Sequence, residues 1–124
     1  VIRVAILNNV EYVVRAHGPA YALKEGLTPA QVEALSDWYG SNLFNDKQRA
    51  LLAYADAMTR DIDVSDKVFA EVRRHFTERQ AVELTMLIGA YNMLTRFLKA
   101  LKVDPEPGNS SMFKVESQAE DIEL

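Results

Sequence analysis

The chain has 124 residues, 48% of them hydrophobic and 26% charged, which allows one compact domain with a real core and is too few for two. Its formal charge of −4 gives a nucleic-acid partner no electrostatic support. With no cysteine, disulfides, thiolate metal sites and thiol redox chemistry are excluded, a composition that fits a cytoplasmic protein.

Start and stop signals divide the chain into about six helices, with no strand alternation, so an all-α fold is expected. Val1–Leu7 reads as the end of a helix whose beginning precedes the sequence, and no signal peptide is expected, because no basic segment or cleavage site precedes the apolar run. Asn8 or Asn9 can cap a second helix that runs toward Glu25 and ends at Gly26. Thr28-Pro29-Ala30-Gln31 is a capping box with proline at the first helical position, and Leu27 and Val32 are placed as its hydrophobic staple. That third helix stops by Gly40. Asn45 opens a fourth, from Asp46 to about Arg60, with Leu51, Leu52, Ala55 and Met58 on one side. Ser65 caps a short fifth, with Val64 and Phe69 as its staple. Thr77-Glu78-Arg79-Gln80 is a second capping box and opens the longest helix, to about Lys102.

Pro105 and Pro107-Gly108 end the fold. The expected division is a domain over residues 1–104 and an acidic, mobile tail over 105–124. From Asp104 onward the chain carries six acids and one lysine, net −5, whereas residues 1–103 are net +1. The long helix is too often interrupted by Glu83, Asn92, Arg96 and Lys99 to span a bilayer, so no membrane partner is expected. Yet its apolar residues, from Val82 to Leu101, cover nearly its whole circumference, and a helix apolar all round must be buried all round. About six helices could not easily surround a helix roughly 37 Å long. A homo-oligomer is therefore expected.

Val10, Val13, Val14, His17 and Tyr21 are spaced by three and four, which puts His17 on an apolar stripe. By spacing alone this is a core histidine with both nitrogens satisfied. Glu11 and Arg15 form an i,i+4 surface pair. His75, near a helix C-terminus where a cation is favourable, reads as structural. Trp38 and Tyr39 either wall a pocket or simply pack. Two histidines without ligand spacing make no metal site, and no phosphate loop, nucleophile elbow or dinucleotide fingerprint is present.

The segments VIRVAILNN, VEYVVRAHGPAYALKEGLT, NDKQRALLAYADAMTRD, VSDKVFAEVRRHF and TERQAVELTMLIGAYNMLTRFLKAL resemble the carboxymuconolactone decarboxylase family, which also contains the AhpD-like alkylhydroperoxidases. The resemblance covers about residues 1–105. It implies a single-domain, all-helical, oligomeric fold, from dimers or trimers to hexamers. The peroxidase branch has two cysteines separated by two residues, then a histidine four positions after the second. On this chain those cysteines fall on Val10 and Val13 and the histidine on His17. The glutamate that the branch also uses would lie before Val1. A thiol peroxidase needs a thiolate to attack the peroxide and a second thiol to resolve it, so that activity is excluded.

The decarboxylase branch lacks the cysteine pair and works without metal or organic cofactor on a small cyclic carboxylic acid, such as a lactone or keto acid. The resemblance thus implies a cofactor-free lyase with His17 as the proton-transfer residue, its titration lying near neutral pH. Arg96 could clamp the substrate carboxylate or form a surface or intersubunit ion pair. Asn92 could orient His17 or the substrate, or make a buried interhelical hydrogen bond. Tyr12 could offer a phenol to the pocket. The alternative function is a catalytically silent structural or ligand-binding oligomer of the same fold.

Overall fold

The structure is a computed structural model that describes residues 1–10, 13–14 and 24–103. Among these residues there are five α-helices and no strand. We label them α1 (Ile2–Leu7), α2 (Pro29–Ala34), α3 (Asp46–Arg60), α4 (Asp66–His75) and α5 (Glu78–Ala100); α2 tightens into a 3-10 turn over Leu35–Asp37. The expected second helix lies largely outside the described residues, although Val13, Val14 and Lys24 are helical. Gly26 follows with φ +98°, a left-handed conformation that favours glycine and ends a helix. The acidic segment from residue 105 lies outside the described residues.

Local chemistry sets each helix start. The Thr28 hydroxyl accepts from the Gln31 backbone N–H at 3.1 Å, while the Gln31 side chain accepts from Thr28 N–H at 3.0 Å. Thr77 and Gln80 make the same reciprocal pair before α5, and Asn45 and Gln48 make it before α3. Ser65 caps α4 through a bond from Val68 N–H. Each cap satisfies a backbone donor that the first helical turn leaves unpaired, a contribution of about 1 kcal/mol.

The shortest of these helices in the core, α1, is also its organising element. Six residues are too few to hold a helix in water, so packing must hold it. Ile2 joins Leu35, Trp38, Phe44 and Leu52; Val4 joins Tyr54, Ala55, Val72, Ala81 and Ile88; Ala5 joins Val10, Val13 and Leu98. Successive side chains of α1 thereby tie the α2 turn, α3 and α5 together.

Within that apolar setting Arg3 is only 7% exposed. Its guanidinium forks onto Asp56 of α3, Nε to Oδ1 at 2.8 Å and one terminal nitrogen to Oδ2 at 2.9 Å. The other terminal nitrogen donates to the Leu35 and Ser36 carbonyls, each at 3.0 Å. Trp38 Nε1 also donates to Asp56 Oδ2, at 3.0 Å. A buried charge is tolerable only when paired and hydrogen-bonded in this way.

The described residues bury one side of the long helix. Ala81, Ile88, Asn92, Thr95 and Leu98 are buried against the rest of the chain. Val82, Met86, Met93, Phe97 and Leu101 are exposed. Among the described residues no helix is long and apolar enough to cross a membrane.

Candidate functional site

The candidate site lies where α1 ends and passes beside the last turns of α5. Polar residues recur at 92 and 95 on the buried side of an otherwise apolar helix, and burial obliges them to find partners. Asn8, just past α1, donates from its amide to Asn92 Oδ1 at 3.0 Å and to Thr95 Oγ1 at 2.8 Å. Asn92 donates to Thr59 Oγ1 and to the Ile88 carbonyl, both at 3.0 Å. The Arg96 guanidinium donates to Asn92 Oδ1 and, at 3.4 Å, to the Thr59 carbonyl. Both amide hydrogens of Asn92 are thus donated, and its oxygen accepts twice. Asn92 ties α1, α3 and α5 together and holds Arg96 in place.

Arg96 is exposed and has no acidic partner among the described residues. Lys99, one turn on, donates to the Asn9 carbonyl at 3.0 Å and likewise has no acidic partner among them. Asn9 takes φ 55°, a left-handed conformation that asparagine tolerates, and the chain turns there into the segment that bears Val10 and Val13. Those two valines are 5% and 0% exposed, packed with Ala5 and Leu98. Lys99 is thereby tied to the turn that leads to this apolar wall, and Arg96 to Asn92 and Thr59.

Of the sequence-derived site residues, Asn92 and Arg96 are brought into direct contact. His17 and Tyr12 lie outside the described residues, as do Glu11 and Arg15. Sequence reasoning did not find Asn8, Thr59, Thr95 or Lys99. The usable signal was the pair of polar residues three apart within the apolar run of α5.

Two cavities lie elsewhere. One of about 280 Å³ is apolar and is lined by Ile2, Leu27, Phe44, Leu52 and Leu87 among others. The second, of about 570 Å³, lies between the Trp38–Tyr39 turn, α3 and α4, with Arg49, Lys67, Arg74 and His75 on its walls. Trp38 and Tyr39 both pack and wall a pocket: their rings meet edge to face at 5.6 Å, and the Arg49 guanidinium lies over both. His75 ends α4 with Nε2 3.8 Å from Glu71 Oε2, facing a carboxylate of its own helix. Neither cavity includes Asn92 or Arg96. Among the described residues no three His, Cys, Asp or Glu side chains cluster to hold a metal ion.

The architecture, helices in this order packed on a central short α1, is the all-α AhpD-like fold. A crystal structure of a protein of unknown function from Agrobacterium tumefaciens, proposed to be the antioxidant defence protein AhpD, matches with a TM-score of 0.79 and 27% identity over 86% of this chain and 73% of that one. This likeness supports the AhpD-like family for the chain. No family model matches it. The uncharacterized protein YnjA of Escherichia coli (strain K12) is 37% identical over 71 residues, 56% of this chain. The match spans 39% of YnjA's own length. The uncharacterized protein YdfG of Bacillus subtilis (strain 168) is 26% identical over 102 residues, 81% of this chain and 69% of that protein.

Proposed function

We propose that the chain is a cofactor-free lyase that decarboxylates or isomerises a small carboxylated ring compound, with His17 transferring the proton. One observation carries the reading: Arg96 is held by Asn92 and Thr59 and carries no acidic partner among the described residues, while Lys99, one turn on, is bonded to the turn at Asn9 from which the chain runs on toward His17. A guanidinium so placed suits a ligand carboxylate, which it can receive through two parallel N–H donors. Lys99 adds a second positive charge.

In the proposed reaction Arg96 binds the carboxylate against the apolar wall, where the anion is poorly solvated. The bond between the carboxyl carbon and the ring breaks, CO₂ leaves, and the electron pair remains on the ring carbon. The His17 imidazolium gives its proton to that carbon. For an isomerisation the neutral imidazole removes a proton from one ring carbon and returns it at another. Asn92, its amide committed to protein partners, acts by positioning Arg96. Tyr12 borders the same segment and would offer its phenol to the ring.

The antioxidant role proposed for the Agrobacterium protein does not extend to this chain by a thiol mechanism, since Val10 and Val13 stand at the thiol positions and the chain has no cysteine. A silent, ligand-binding oligomer is the second reading, favoured by the close packing of Val10 and Val13. The test is CO₂ release, or isomer formation, from a panel of ring-cleavage lactones and cyclic β-keto acids. Turnover that is lost in both His17→Asn and Arg96→Gln supports the lyase. Saturable binding without turnover across the panel establishes the silent reading in its place.

A further inference from the structure

The cavity of about 570 Å³ is separate from the turn beside α5, and two helices and one turn supply its walls. From α3 come Asp46, Arg49, Ala50 and Ala53, at i, i+3, i+4 and i+7, which share one helix face. From α4 come Lys67, Val68, Glu71, Arg74 and His75, again one face. Ala50, Ala53 and Val68 are the apolar part of the lining, and the two alanines leave room that longer side chains would fill.

Two of the cations on these walls have no acid to answer them. The Arg49 guanidinium lies over the rings of Trp38 and Tyr39, 5.2 and 5.7 Å from their centroids. It donates to the Trp38, Tyr39 and Ser41 carbonyls, at 3.3, 3.1 and 3.0 Å. Those carbonyls fix the group without neutralising it, and no carboxylate pairs with it among the described residues. On α4, Lys67 has Glu71 at i+4, but a lysine preceding a glutamate is the weaker order for such a pair. Glu71 turns instead to Arg74 at 3.4 Å and His75 at 3.8 Å. Lys67 is left with no hydrogen bond or ion pair among the described residues. The other acid of the lining, Asp46, lies in the first turn of α3, where the helix dipole already favours its charge.

We propose that this cavity binds a small anion carried on a flat ring, an aryl carboxylate or aryl phosphate. Lys67 takes the anionic oxygens, and Arg49 adds a second positive charge to the same space. The ring packs on Ala50, Ala53 and Val68, with the Tyr39 ring, 77% exposed, free to stack on it. The volume lies within the range of small-molecule sites. Neither His17 nor Arg96 takes part.

Trp38 is the single tryptophan of the chain and lines the cavity, so its emission reports occupancy. Benzoate and phenyl phosphate should each change that emission saturably at millimolar concentration. Acetate, which has the charge alone, and benzyl alcohol, which has the ring alone, should not. Saturation transfer from the protein to the benzoate ring protons gives a second measure that does not depend on Trp38. Lys67→Met, a change at an exposed position, should raise the Kd about tenfold or more, the share of one charge-assisted hydrogen bond, with the helical circular dichroism unchanged. Arg96→Gln should leave the Kd as it is. Absence of saturable binding in both measures overturns the proposal, and so does a Kd that Lys67→Met leaves unaltered. Equal binding of benzyl alcohol overturns it as well, since the contact is then apolar only. Binding lost in Arg96→Gln and kept in Lys67→Met places the ring anion beside α5 and not here.

Discussion

Replacing Asp56 by alanine should be among the most destabilising single changes in this chain. Asp56 accepts two bonds from Arg3 and one from Trp38 Nε1, and its side chain is 16% exposed. Its removal leaves the Arg3 guanidinium buried with two carbonyls as its remaining acceptors. Breaking one side of a buried ion pair costs about 3–5 kcal/mol, most of it from the charge left behind. For a domain of this size that corresponds to a melting temperature roughly 10–20 °C lower. The exposed i,i+4 pair Arg79–Glu83 is the internal standard, since its N–O distance of 3.1 Å is also short. Glu83→Ala should cost about 0.3–0.5 kcal/mol, because solvent screens the pair. Urea denaturation of the three proteins at one fixed concentration gives both values, the fixed concentration keeping the mass-action term the same in each. Arg3→Met with Asp56→Leu should recover part of the loss, as no charge is then stranded. A loss below about 1 kcal/mol for Asp56→Ala would refute the view that this pair anchors α1.

Three further outcomes are expected. His17→Asn should lower turnover roughly 10²–10⁴-fold with an unshifted melt if the side chain transfers the proton; a lowered melting temperature with unchanged specific activity would assign it to the core. No hydroperoxide should be consumed with any thiol reductant, and consumption above a heat-denatured control would contradict the placement of Val10 and Val13. Asn92→Ala, which takes one partner each from Asn8, Thr59 and Arg96, should cost about 1–3 kcal/mol and raise KM more than it lowers kcat, as read from denaturation and steady-state kinetics.

The helix starts were legible in the sequence because caps are local. Thr28 with Gln31, Ser65 before Val68 and Thr77 with Gln80 each satisfy donors within four residues, so a short window holds all the information. The missing thiols were legible for a simpler reason, since composition alone removes a chemistry. Arg3 and Asp56 are 53 residues apart, and Asn8 and Asn92 are 84 apart. No periodicity links such pairs; each exists because α1 is buried between α3 and α5 and every polar group it carries inward must be answered there. The same limit applied to α5. An apolar pattern all round a helix states that burial is needed and leaves open which side the chain itself covers. The packing of α1 and α3 decided that, placing Ile88, Asn92 and Thr95 inward and leaving Met86, Met93 and Phe97 outside, because six residues of α1 and one face of α3 are wide enough to cover a single side of a 23-residue helix.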